Sequence, residues 1–170
     1  MRVFCVAITH KTADIALREK LAFDPHRRRC ALADLRDRWP DAEFVLLSTC
    51  NRTEVYCARP IESGPDEDEL CGWMERFRGL AAGEARGAMF SLFGAEAARH
   101  LFSVTAGLES MVLGEAQIVA QVKDAYAAAG EEGTARAVMN GLVQGALHAA
   151  KRVRSETKIA LGRVSVASVA

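Results

Sequence analysis

The sequence predicts an α+β fold, a sandwich of strands and helices that continues into a helical half. Three observations lead there. Residues 3–8 and 44–47 are short apolar runs bounded by polar residues, as buried strands are. Residues 53–58 are rich in β-formers and alternate with charge, which marks a third strand. Between and after these runs, apolar residues recur at helical spacing. The order is strand, helix, strand, strand, helix, weak strand, then helices. That is a ferredoxin-like βαββαβ start followed by an all-helical second half.

Each element has its own signal. The first strand is Val3-Phe4-Cys5-Val6-Ala7-Ile8. A short helix over residues 14–22 places Ile15, Leu17 and Leu21 as its apolar positions. Asp24 is a good cap and Pro25 a good first helical residue for the next helix. Pro40 ends it near Trp39. Arg27, Arg28 and Arg29 sit near its start, where the helix dipole disfavours cations. They read either as a solvated face or as a phosphate contact. Between the second and third strands lie only Thr49, Cys50, Asn51 and Arg52, and Asn51 tolerates the positive φ of a tight turn. Residues 60–68 are polar, with Gly64 and Pro65, and read as a loop. A helix is expected over 67–82, a weak strand over 89–93, and a helix over 96–105 with Ala97, Leu101 and Val104 on one side. Gly107 and Gly114 bracket a segment without a period, read as irregular. Ile118, Val122, Ala125 and Ala129 form a helical stripe that residues 130–133 break. Thr134 is expected to cap a long helix with Val138, Leu142, Ala146, Ala149 and Val153 on one face. Lys151, Arg152 and Arg154 suit its C-terminal end. From Ser155 the texture changes.

Composition bounds the function. Of 170 residues half are apolar and 26% charged, a globular balance. Lysine plus arginine is 22 and aspartate plus glutamate is 22, so the formal net charge is zero. This excludes a wholesale basic coat for nucleic acid and leaves room for a local patch. No apolar run approaches the roughly 18 residues that span a bilayer. The first residues lack a secretory signal pattern, so no membrane partner and a cytoplasmic location are expected. The cysteines are Cys5, Cys30, Cys50, Cys57 and Cys71. An odd set without C-x-x-C supports neither a metal site nor a disulfide framework. The default for each is a small buried hydrophobe. No G-x-G-x-x-G follows a strand, and there is no P-loop.

Ser48-Thr49-Cys50-Asn51-Arg52-Thr53-Glu54 is the densest stretch of chemistry in the chain. It follows a strand that should be buried, so its thiol would sit on a rigid edge, as a preorganised nucleophile requires. Arg52 could lower the thiol pKa and bind a carboxylate through two parallel hydrogen bonds. The other reading is a surface turn with an idle cysteine. Trp39, Trp73, Phe44 and Tyr56 read as core rather than as platforms for stacking bases.

Several ordered motifs carry a resemblance. They are Ile8-Thr9-His10-Lys11-Thr12-Ala13, Leu47-Ser48-Thr49-Cys50-Asn51-Arg52-Thr53-Glu54 and His100-Leu101-Phe102. Further on come Gly107-Leu108-Glu109-Ser110-Met111-Val112-Leu113-Gly114-Glu115-Ala116-Gln117-Ile118, Gln121-Val122-Lys123 and Ala150-Lys151-Arg152-Val153-Arg154-Ser155-Glu156-Thr157. Over nearly its whole length the chain resembles glutamyl-tRNA reductase, which opens tetrapyrrole synthesis. It departs at Ala7 and Ala116, where that family has glycine and proline.

The resemblance implies that Cys50 is the nucleophile. Its thiolate would attack the ester of glutamyl-tRNA(Glu), and the resulting thioester would be reduced by NADPH to glutamate-1-semialdehyde. His100 would serve as a second catalytic residue, in proton transfer to the leaving ribose or in orienting substrate. Thr49, Asn51, Arg52, Ser110, Glu115, Ala116, Gln117 and Gln121 would surround the glutamyl group. His10 reads as a structural hydrogen-bonding residue. The resemblance also implies a catalytic domain over 1–155 and a truncated linking helix begun at 156–170. The NADPH-binding and dimerisation domains would be absent, and no metal is implied. Such a fragment should form the thioester but not reduce it. For the longer enzyme it implies a homodimer, with glutamate-1-semialdehyde aminomutase as a partner. Two other classes stay open on the residues alone: a non-catalytic module gripping glutamyl-tRNA or a partner, and a small-ligand regulatory domain.

Overall fold

The computed structural model describes residues 1–115 and 117–160. Ala116 and the Val/Ser/Ala segment within 161–170 lie outside the described residues. The expected strands all form: β1 (Arg2–Thr9), β2 (Glu43–Ser48), β3 (Arg52–Arg59) and β4 (Phe90–Phe93). They make a four-stranded sheet in the order β2-β3-β1-β4, with every neighbouring pair antiparallel. This is the ferredoxin-like arrangement that the element order predicts. Val6 pairs with Val55 and Phe4 with Cys57 at its centre. Consecutive residues of β1 and β3 are buried, so both faces of the sheet are covered.

Helices α1 (Ile15–Leu21) and α2 (Pro25–Arg38) connect β1 to β2, and α3 (Glu67–Phe77) lies between β3 and β4. Right-handed crossovers place α2 and α3 on one face. They meet there: the Trp73 indole N–H donates to Asp34 Oδ2 at 2.7 Å, and Phe23 stacks on Trp73 and Phe77. Helices α4 (Ala95–Thr105), α5 (Gln117–Glu131) and α6 (Ala137–Glu156) pack over the other face. The stripes Ala97-Leu101-Val104 and Ile118-Val122-Ala125-Ala129 are buried as their spacing predicts. Asp24 caps α2, accepting from the Arg27 N–H at 2.8 Å, and Pro25 opens the helix. Past α6, Thr157 is extended and a 3₁₀ turn covers Lys158–Ala160.

Four local expectations need correction. Asn51 does not adopt positive φ. The Thr49 hydroxyl accepts from the Asn51 N–H and the Thr49 N–H donates to the Arg52 carbonyl, so the turn closes without a left-handed residue. α3 stops at Phe77, short of 82, because Gly79 turns the chain at φ 72° and the Glu75 carboxylate collects the Gly83 and Ala85 N–H groups. Thr134 does not cap α6; its hydroxyl donates to the Phe44 and Ala129 carbonyls. The cap is Glu43 of β2, whose carboxylate accepts from the N–H groups of Arg136, Val138 and Met139 at 3.0, 3.2 and 2.8 Å. The fully buried face of α6 is Met139, Val143, Ala146 and Ala150; of the expected stripe Ala146 lies on it, and Val138 and Leu142 pack against the core at its edge.

Candidate active site

Alternation along β3 puts Arg52, Glu54 and Tyr56 on one face, the face toward α4. Glu54 is fully buried and is the hub. Its Oε1 accepts from Arg52 Nη1 and from His100 Nε2, each at 2.9 Å, and its Oε2 from the Tyr56 hydroxyl at 2.6 Å. Arg52 is only 2% exposed and His100 13%. Burial alone would raise the Glu54 carboxyl. The His100 N–H, the Arg52 guanidinium and the Tyr56 hydroxyl outweigh it and hold the group below the usual carboxylate value. Tyr56 is pushed well up by burial and by the Glu54 charge. Cys5, against the same cluster, is raised by burial first and then by Glu54, so it stays a thiol. Burial likewise lifts Cys57, and brings Cys71 to about 11. These three match the default of inert, buried cysteines.

Cys30 and Cys50 depart from that default: both are exposed, Cys30 on α2 and Cys50 at the tip of the turn between β2 and β3. The Cys50 carbonyl accepts from Arg18 Nε at 3.4 Å. Thr49 and Asn51 flank it, half-buried. Arg52, two residues on, turns inward. Its Nη1 is held by Glu54 and its Nη2 donates to the Glu109 carbonyl, so it is not the free fork that the motif suggests. Instead it forms one wall of a cavity of about 210 Å³, with His10, Lys11, Phe90, His100 and Glu109. Pockets for drug-sized ligands run to roughly 300–1,000 Å³, so this one suits a group of aminoacyl size. A larger cavity of about 920 Å³, beside Phe4, Phe93 and Leu142, contains none of the candidate residues.

The segment between α4 and α5 closes over this site. Gly107 and Gly114 both have positive φ, and the Gly114 N–H donates to the Gly107 carbonyl at 3.0 Å. A Cβ on Gly114 would meet the Ile159 carbonyl oxygen at 2.4 Å, so only glycine fits. Arg154 of α6 donates to the Gly114 and Glu115 carbonyls. Lys11 pairs with the Glu109 carboxylate at 2.6 Å. Leu108, Met111, Val112 and Leu113 face outward on this segment.

The expected site residues therefore divide. Arg52 and His100 are joined through Glu54, and Ser110 sits next to Glu109 on the segment that Arg52 holds. Thr49, Cys50 and Asn51 form the adjoining turn. Glu115 is half-buried at the far end of that segment. Gln117 is exposed and Gln121 half-buried on α5, and among the described residues neither bonds to the cluster. Ala116 lies outside the described residues.

Sequence reasoning misses what three residues do. Tyr56 is read as core, which it is, and Glu54 as part of the Cys50 motif, but neither is singled out as a partner of Arg52 and His100. His10 is expected to make a structural hydrogen bond, and its backbone N–H donates to the Asn51 carbonyl at 2.9 Å; what the sequence does not show is that its ring Nδ1 is sealed from solvent at the cavity wall. Burial, then the charges of Arg52, Lys11 and Arg18, hold the ring below its usual value of 6.5.

Comparison with known proteins adds a family. A family model described as "Glutamyl-tRNAGlu reductase, N-terminal domain" matches residues 6–157. Glutamyl-tRNA reductase of Shewanella oneidensis is 41% identical over all 170 residues of this chain, which span 40% of that protein. The enzyme of the same name from Shewanella baltica is 40% identical over the same extent. A solved structure, glutamyl-tRNA reductase from Methanopyrus kandleri, superposes with a TM-score of 0.77 at 34% identity, covering 98% of this chain and 37% of that one. The chain thus spans about 40% of the length of the curated relatives it matches.

Proposed function

The chain belongs to the glutamyl-tRNA reductase N-terminal domain family, and from that premise we propose that Cys50 is the nucleophile that takes the glutamyl group from glutamyl-tRNA(Glu). The Cys50 sulfur bonds to the ester carbonyl carbon, the bond to the terminal ribose oxygen breaks, and the tRNA leaves with its hydroxyl restored. An ester is an activated acyl donor and a thiolate a strong nucleophile. The observation that carries the reading is the one exposed cysteine of the motif, held on a rigid turn whose next residues run into the buried Arg52–Glu54–His100 cluster.

The cluster supports distinct roles. Glu54 fixes the His100 ring by accepting from Nε2, which leaves His100 oriented at the cavity wall to hold or pass a proton at the leaving ribose oxygen. Arg52 organises the wall and anchors the Glu109 segment. Thr49, Asn51, Ser110, Glu115, Ala116, Gln117 and Gln121 are assigned to the glutamyl group by the family pattern. The catalytic unit is assigned to residues 1–155.

Reduction of the thioester to glutamate-1-semialdehyde calls for a hydride from NADPH. The residues present do not fit that cofactor: the described sheet is wholly antiparallel, and the strand–helix junction at Gly94 carries a single glycine, not the G-x-G-x-x-G that cradles a pyrophosphate in a parallel βαβ unit. The hydride step is therefore assigned outside these residues. No helix among the described residues is long and apolar enough to cross a membrane. We place the reaction in the cytoplasm, where its tRNA substrate is charged, and propose a homodimer and an aminomutase partner for the longer protein.

The test is intact mass spectrometry after incubation with glutamyl-tRNA(Glu). The chain should gain one glutamyl group, lost on hydroxylamine treatment, and Cys50→Ser should gain none that hydroxylamine removes as rapidly. An unmodified wild-type chain that still binds the charged tRNA would instead establish a non-catalytic binding module.

A further inference from the structure

His10 is where the cavity and the Cys50 turn meet. Its ring lines the cavity, and its backbone N–H donates at 2.9 Å to the carbonyl of Asn51, the residue after Cys50. Arg18 spans the same gap. Its Nε reaches the Cys50 carbonyl at 3.4 Å, its Nη1 holds the Ala13 carbonyl at 2.8 Å, and its charge acts on the His10 ring. Neither the nucleophile Cys50 nor the proton carrier His100 accounts for a second histidine at this wall.

The ring's two nitrogens are not equivalent. Nδ1 is sealed and unpartnered among the described residues. A sealed acceptor is tolerated more readily than a sealed N–H donor. The resting tautomer therefore carries its hydrogen on Nε2 and leaves the Nδ1 lone pair inside. The charged groups around it are Arg52, Lys11 and Arg18, while Glu109 is paired with Lys11 and His100 with Glu54. Burial and those three cations keep the ring neutral at pH 7. A neutral imidazole among cations is an electrophile rather than a base: it offers a hydrogen bond to charge that develops on oxygen.

We propose that His10 donates its Nε2–H to the ester carbonyl oxygen while the Cys50 sulfur adds to the carbonyl carbon. This rests on the reading of Cys50 as nucleophile. The S–C bond forms as the carbonyl π pair moves onto oxygen, where His10 holds it. The pair then returns, the C–O bond to ribose breaks, and the thiol proton ends on the departing ribose oxygen. His10 keeps its own proton throughout, so the step needs no co-reactant.

The experiment is single-turnover formation of the Cys50 adduct by the 170-residue chain with glutamyl-tRNA(Glu), quenched and read by intact mass. His10→Ala should slow it about 10²-fold, the scale of one lost oxyanion donor. His10→Gln places an amide N–H near the Nε2 position and should recover at least about tenfold of that loss. The half-saturating tRNA concentration should stay within about threefold of wild type in both, because the contact strengthens only in the transition state. Equal rates for His10→Ala and wild type overturn the proposal, as does a His10→Gln chain as slow as the alanine variant, which would mark a base or a structural role. A wild-type chain that forms no adduct sinks the Cys50 reading and this inference with it. An adduct formed at full rate without His10 sinks this inference alone.

Discussion

At the residue scale Glu54 decides the most. Among the described residues its carboxylate is the only counter-charge bonded to Arg52, and it also fixes His100 and Tyr56. Removing one partner of a buried pair leaves the other charge without water or ligand. Glu54→Gln should therefore cost about 3–5 kcal/mol, read by urea unfolding. The pH dependence follows from the same contact. The folded-state carboxyl titrates below its unfolded value of 4.5. Its contribution is thus complete above pH 4.5 and disappears as pH falls through the folded value. Wild type should lose stability across that acid window, and Glu54→Gln should show a flatter profile there; identical profiles would remove Glu54 as the origin. Cys50 is legible in the sequence because a polar turn after an apolar strand exposes what it carries. The role of Glu54 is not, because alternation in β3 records a second face without saying whether water or α4 covers it; Tyr56 reads correctly as core, but not as a donor to Glu54.

At the element scale, legibility depends on how far away the partner lies. Asp24 and Arg27 are three residues apart, so the start of α2 can be read from the sequence. The start of α6 cannot. Its N–H groups are satisfied by Glu43, more than ninety residues earlier and on a strand. A serine, threonine or aspartate signal draws attention to Thr134, whose hydroxyl is engaged elsewhere. The apolar stripe survives that error in part, with Ala146 fully buried and Val138 and Leu142 at its edge. Glu43 is 4% exposed, so Glu43→Ala leaves three N–H groups without an acceptor and without ready access to water. About 2 kcal/mol of stability should be lost, between the cost of a cap and that of a buried unsatisfied donor. Cys50 adduct formation by the folded variant should be unchanged, since Glu43 touches none of the cluster. A loss under about 0.5 kcal/mol would show that α6 is held by its packing alone.

At the scale of the whole molecule, topology is the most legible feature, because right-handed crossovers and antiparallel neighbours leave few ways to order four strands. Charge is legible in total but not in arrangement. The zero net charge says only that no broad basic coat exists. In the Arg27–Arg29 run, Arg27 pairs with Asp24 and Arg29 with Glu131 and Glu132, as a solvated face does, while Arg28 is in no ion pair of the described residues. Arg38, Arg86, Arg152 and Lys20 are similarly matched by Asp34, Asp68, Glu156 and Glu84. Surface pairs of this kind add little stability, and exposed cations such as Arg76, Arg99, Lys123 and Lys151 stand outside any ion pair of the described residues. If Cys50 takes the glutamyl group as proposed, a charged tRNA needs only its single-stranded acceptor end beside Arg18 and Cys50, with Lys11 shared with Glu109. Each neutralised phosphate of a single strand contributes about −0.7 to the slope of log affinity against log salt. Two or three contacts predict a slope near −2 for glutamyl-tRNA(Glu) binding to Cys50→Ser, measured by filter retention from about 50 to 200 mM salt. A slope steeper than about −5 would require a broad contact with the duplex arms, and would mean that the recognition surface lies away from the cavity.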